Sequence, residues 1–141
     1  MLRLVLASLI TLSTQRTAVA LKEVSASILD DLKTPYLVEF YSKFCGSCTE
    51  FMPTVEKTEK LLKKAVPVGK INIEDKPGRE LAEKEGALED GLPSLRLYYK
   101  DGDTVSFERI LEPDTVDFPP AETLAKKVKA TLKKIGKSGE L

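Results

Sequence analysis

The 141-residue chain has no histidine, only two cysteines and no surplus of either charge, with 22 basic against 22 acidic residues. Each shortage excludes something. Without imidazole there is no histidine metal ligand, no histidine general base and no Ser-His or Cys-His nucleophile pair. Balanced charge supplies neither the polycationic surface that nucleic acid binding needs nor an acidic tract typical of a disordered tail. Two cysteines cannot staple a small scaffold, so the fold must rest on its own apolar core, and this length suffices for one such core rather than two. The apolar run from Leu4 to Leu12 is far shorter than the roughly 20 residues of a membrane span. There are no repeats and no low-complexity tract.

That apolar run has another reading. Arg3 precedes it and a polar segment ending in Ala18, Val19 and Ala20 follows, which is the anatomy of a secretory signal peptide. Residues 1–20 are therefore predicted to be a cleavable signal. An uncleaved anchor or an organelle transit peptide, to which Arg3 and Arg16 would suit, is the alternative. Cleavage would leave a weakly acidic protein with no membrane attachment, in the lumen of the endoplasmic reticulum or secreted. Residues 21–136 then form the domain and 137–141 a tail, whose Glu140-Leu141 ending only loosely resembles a Lys-Asp-Glu-Leu retrieval signal.

Within the domain, "SASILDDLK" (25–33) reads as a short helix ending before Pro35, with Ile28 and Leu32 on one face. "YLVEFY" (36–41) reads as a buried strand. From Cys45 to about Lys64, Phe51, Val55, Thr58 and Leu62 recur at helical spacing, and Pro53 is expected to kink that helix. "VPVGKIN" (66–72) is a second strand and 79–85 a short helix. "SLRLYY" and "TVSFERI" flank Asp101-Gly102, which predicts an antiparallel hairpin. The three-proline segment 111–120 is an ordered connector, and Leu124, Val128, Leu132 and Ile135 stripe a final helix. The order implies an α/β fold, a central mixed β-sheet flanked by helices.

The two cysteines, Cys45 and Cys48, stand three apart where the first strand gives way to the long helix. A structural zinc site would need four ligands, usually cysteine or histidine, and with only two such residues it would require a dimer or carboxylate ligands. A bridge across so short a loop gains little on the loop-closure account. A redox pair explains the placement better. In the first turn of a helix, unpaired N–H groups and the positive end of the dipole stabilise a Cys45 thiolate, while Cys48 lies shielded one turn on. Gly46 and Ser47 would let the chain turn tightly between them. Cys45 would attack a substrate disulfide and Cys48 would resolve the mixed disulfide.

"LVEFYSKFCGSC" resembles the active-site segment of the thioredoxin superfamily, and "EFY" with the long helix after it is closest to protein disulfide isomerase domains. The resemblance spans roughly residues 22–135 and implies a thioredoxin fold. It implies that Glu39 is a buried acid exchanging a proton with Cys48, that Lys70 in "GKINIED" neighbours it, and that Pro93 in "GLPSLRLYY" is a cis proline packed on the cysteines. The backbone of Leu92 would pair with an extended substrate, with Phe44, Gly46 and Ser47 completing the contact surface. Pro53 matches the family's helix proline.

The chain also departs from the family. Phe44 stands where tryptophan is usual, and Gly46-Ser47 replaces the Gly-His of isomerases and the Gly-Pro of thioredoxins. Lacking that histidine, the Cys45 thiolate loses a stabilising partner, so its disulfide should be less oxidising. Glu89 and Asp90 would act in the same sense if they approach the sulfur. Segment 111–120 has no arginine, which isomerase domains tend to carry there, and Arg109 is the nearest. The expectation is a monomeric thiol-disulfide oxidoreductase that reduces or isomerises protein disulfides in the secretory pathway, needs no metal or organic cofactor and draws electrons through an unidentified redox partner. The rival is a non-catalytic chaperone or escort that holds unfolded chains through Phe44 and Leu92.

Overall fold

A computed structural model describes residues 20–138, so all of the predicted signal segment but Ala20, and residues 139–141 of the tail, lie outside the described residues. Five strands form one sheet in the order β1-β3-β2-β4-β5: Lys22–Glu23, Tyr36–Tyr41, Val68–Asn72, Ser94–Asp101 and Thr104–Arg109 in chain order. The first three run parallel to one another, β4 pairs antiparallel with β2, and β5 antiparallel with β4. The helices are α1 (Gly46–Leu62), α2 (Lys76–Lys84) and α3 (Ala121–Ser138). Among the described residues, no helix is long and apolar enough to cross a membrane.

Strand β2 sits at the centre because its sequence is apolar on both sides: Leu37 and Val38 are fully buried on opposite faces, as is Phe40. One face packs Leu37, Val68, Leu95 and Leu97 against Phe51, Val55 and Leu62 of α1 and Leu124 and Val128 of α3. The other packs Val38, Phe40, Ile71 and Tyr98 under Ala82 of α2, Ala87, Leu29 and Leu32. Phe118 of the connector stacks on Phe51 with ring centroids 4.6 Å apart, which seats the 111–120 segment against the cysteine helix. Truncating a ring as fully enclosed as Phe51 to alanine costs about 3–5 kcal/mol.

Three differences from the expected elements have physical causes. The helix expected over 25–33 shrinks to a 3-10 turn, Ala26–Leu29, capped by Ser25; that single turn and the bend after it already bury Leu29 and Leu32. Strand β1 shows no apolar alternation, both of its residues being exposed, and is a strand only through its register with Gly69 and Lys70 of β3. Helix α2 starts three residues before the expected Arg79, with Pro77 in its first turn, where the missing N–H is no loss. Gly78 follows because a Cβ there would lie 2.1 Å from the Asn72 carbonyl oxygen.

Candidate active site

Cys45 is the N-cap of α1, with φ −89° and ψ 109°, and its Sγ accepts the N–H of Cys48 at 3.1 Å. That N–H is one of the helix's unpaired donors, and it points where a thiolate would carry its charge. Cys45 is half-buried while Cys48 is 1% exposed, and the two are joined in a disulfide with their Cα atoms 5.2 Å apart. Gly46 and Ser47 occupy the exposed first turn. The turn asks nothing special of Gly46, contrary to the expectation from sequence: its φ is not in the left-handed region, and an added Cβ would meet nothing within 4 Å.

The Leu92–Pro93 bond is cis, and Pro93 is buried. The carbonyl oxygen of Leu92 lies 3.8 Å from Cys45 Sγ and accepts the Ser47 hydroxyl at 3.3 Å. Ser47, Leu92, Pro93, Leu111 and Phe118 border a small cleft of about 110 Å³, which meets the cysteine turn through Ser47 and Leu92. Larger concavities of about 510 and 530 Å³ lie at the far end of α1 and along α3, and none of their lining residues is Ser47, Leu92 or Pro93. On the other side Phe44 projects into solvent, 90% exposed. Its position is fixed by a carboxylate that sequence reasoning passed over. Glu74 accepts the Ser42 hydroxyl at 2.8 Å and the Lys43 N–H at 2.5 Å, while the Phe44 N–H binds the Ser42 oxygen at 3.1 Å. Desolvation raises the Glu74 pKa, but these donations outweigh it and hold the group below its usual range.

Glu39 lies on the α1 face of β2, fully buried, and neither carboxylate oxygen has a hydrogen-bond partner. Removal from water pushes its pKa up to about 8; the Lys70 ammonium works against that rise and Glu56 adds to it. Glu39 and Lys70 are register partners across β2 and β3. Lys70 itself is half-buried, its Nζ 3.7 Å from the Met52 sulfur and 4.8 Å from the centroid of the Tyr41 ring. The result is a buried acid that changes charge near neutral pH behind the helix bearing the cysteines, a property associated with proton-handling groups.

Asp90 borders the same cleft, yet its charge does not face the sulfur freely. Its Oδ2 accepts from Arg96 at 2.5 Å and from Arg109 at 2.6 Å, and Oδ1 accepts a second bond from Arg109 at 3.0 Å. The bond from Arg109 does most to depress its pKa; desolvation opposes this, and the bond from Arg96 together with the two positive charges completes the lowering. Glu89 is exposed. The carboxylate pair expected to disfavour a Cys45 thiolate is thus reduced to one neutralised group and one solvated one. Arg109, unplaced from sequence, belongs to this cluster, and Arg96 was missed altogether.

Comparisons with known proteins agree on the family. A family model described as thioredoxin matches residues 17–117. A thioredoxin from Rhodospirillum rubrum is 37% identical over 86 residues, covering 58% of this chain and 78% of that protein. A protein disulfide-isomerase from Hordeum vulgare is 33% identical over 72 residues, 49% of this chain, but the match spans only 14% of that protein's length. Among solved structures, the Trx4 domain of ERdj5 superposes with a TM-score of 0.65 at 23% identity, covering 82% of this chain and 97% of that one. A Trichomonas vaginalis thioredoxin gives 0.55 at 16% identity, over 82% of this chain and 96% of that one. At such identities these two superpositions speak for the shared fold alone.

Proposed function

Because this chain belongs to the thioredoxin family, we propose that it is a thiol-disulfide oxidoreductase acting on protein disulfides, with Cys45 as nucleophile and Cys48 as resolving thiol. The observation that carries this reading is the Cys48 N–H directed at the accessible Cys45 sulfur from 3.1 Å, with Cys48 itself enclosed. In the dithiol form, the Cys45 thiolate attacks one sulfur of a substrate disulfide. A Cys45–substrate bond forms, and the other substrate sulfur leaves and takes up a proton. Cys48 then gives its proton to the ionised form of Glu39 and attacks the Cys45 sulfur; the Cys45–substrate bond breaks, and the second substrate sulfur leaves as a thiolate that takes its proton from solvent. Two electrons have passed from the protein to the substrate, and the chain is left with the Cys45–Cys48 disulfide seen here.

Lys70 supports this cycle by opposing the desolvation of Glu39, which keeps the carboxyl exchangeable near neutral pH. Pro93 and Leu92 form the wall along which an extended chain aligns, with Phe44 and Ser47 flanking the sulfur. Reduction or isomerisation, rather than strong oxidation, follows from the missing histidine between the cysteines. The likeness to protein disulfide-isomerases and the signal-like residues 1–20 favour the endoplasmic reticulum lumen as the setting. The test is turbidimetric reduction of insulin by dithiothreitol: wild type should accelerate it and Cys45→Ser should not. Equal rates would instead favour a non-catalytic escort, a reading that the exposed Phe44 ring alone supports.

A further inference from the structure

The Arg96 guanidinium is fully buried on the α2 side of the sheet, an expensive place for a charge unless it is paired and hydrogen-bonded. It is met fourfold: Nε donates to Ser94 Oγ at 3.1 Å, Nη1 to the Glu85 carbonyl at 2.5 Å, and Nη2 to the Gly86 carbonyl at 2.8 Å and to Asp90. Arg109 stands directly across the β4–β5 ladder from Arg96, a pairing of like charges that is unfavourable by itself. Asp90 lies between them and reconciles the two. The Phe107 ring adds a second link, with the Arg96 and Arg109 guanidinium carbons 4.3 and 5.4 Å from its centroid. The loop from Glu85 to Gly91 is thereby tied at three points to two strands. The Ala87 N–H holds the start of the loop to the Ala82 carbonyl at 2.7 Å, but toward its end the backbone bonds, Asp90 N–H to Gly86 and Gly91 N–H to Leu88, are long at 3.3 and 3.2 Å.

We propose that Arg96 and Arg109 act through Asp90 as positioning residues that fix the Leu92 peptide, and so set affinity for protein disulfides without taking part in electron transfer. Asp90 is two residues from Leu92, whose carbonyl touches Cys45 and Ser47. Gly91, at φ +82°, is the only residue between them. Neither arginine contacts a sulfur, and the carboxylate they share is neutralised, so loosening the clasp moves the substrate-facing backbone more than it alters the thiolate. A small disulfide that needs no backbone pairing is indifferent to this loop; an extended polypeptide is not. The inference rests on the exchange activity proposed above.

The experiment compares wild type with Asp90→Asn and with Arg109→Gln, the second leaving the Arg96–Asp90 contact in place should the first fail to fold. KM for insulin should rise about tenfold with kcat within about twofold, while the rate with the small disulfide dithiobis(nitrobenzoate) stays within about twofold. Amide exchange at Asp90 and Gly91 should quicken about tenfold, with Leu95 and Leu97 unchanged. An unchanged insulin KM alongside faster exchange overturns the proposal, and so does an equal fall in rate with both disulfides. Should wild type reduce neither disulfide, the oxidoreductase reading itself fails. Binding of S-carboxymethylated insulin B chain still judges the clasp in that case, since equal affinity in wild type and both variants overturns it.

Discussion

Replacing Glu39 by glutamine should remove most of the pH dependence of stability between pH 5.5 and 7.5. In the folded protein, burial holds the Glu39 proton up to about pH 8, whereas an unfolded glutamate releases it near 4.5. Between those two values the folded state binds more protons than the unfolded one, so stability falls as pH rises, at up to about 1.4 kcal/mol per unit. It is greatest below 4.5, declines through the window and levels off above 8. From pH 5.5 to 7.5 the loss comes to about 2.5 kcal/mol. Because the chain has no histidine, no imidazole titrates across this range to obscure the effect. Urea unfolding of the disulfide form at pH 5.5, 6.5 and 7.5 reads it as a drop of roughly 1–2 M in midpoint for wild type and little for Glu39→Gln. Parallel curves for the two proteins would refute the account of Glu39 as a desolvated acid.

Removing the neighbouring ammonium with Lys70→Met should carry the Glu39 pKa higher still, since Lys70 is what restrains it; the urea series, extended upward past pH 8, would then show stability still declining there where wild type levels off, and an unmoved upper limit contradicts this. Iodoacetamide should modify Cys45 of the reduced protein at least about tenfold faster than Cys48, read by peptide mass mapping, because only the former is both accessible and helix-activated; equal labelling would count against the assignment of nucleophile. Gly78→Ala should lower the thermal midpoint by about 10 °C or more, since its Cβ would meet a backbone oxygen that cannot swing aside. A midpoint within about 2 °C of wild type would show that α2 slides away from Asn72 at little cost.

The central strand, the cysteine helix and the hairpin were legible because each carries a local signal: a largely apolar run buried throughout over 37–41, helical spacing of Phe51, Val55, Thr58 and Leu62, and Asp-Gly at a turn where Gly102 adopts φ +61°. Glu39 and Pro93 were legible through the family resemblance, which gave their positions although local propensity could not. Strand β1 was not, because it owes its conformation to a neighbour 47 residues away, Lys22 pairing with Gly69. Arg96 escaped for a related reason. Alternating with Leu95 and Leu97, an arginine reads as the solvent side of a half-buried strand, and nothing local shows that α2 covers that side. What makes it tolerable, two carbonyls and a carboxylate from a loop up to eleven residues upstream, appears only when the chain has folded. Glu74 is similar: one carboxylate at the end of β3 orders residues 42–44, a contact between segments some thirty residues apart.

Phe44 offers a practical opening. The chain has no tryptophan, so it has no indole emission of its own, and this ring stands almost wholly in water beside the disulfide. Phe44→Trp would add one fluorophore at a site with little packing to disturb, where stability changes of about 0.5 kcal/mol or less are usual. Its brightness, quenched by the adjacent sulfur–sulfur bond and restored when that bond opens, would let each turnover be followed optically in a single cuvette.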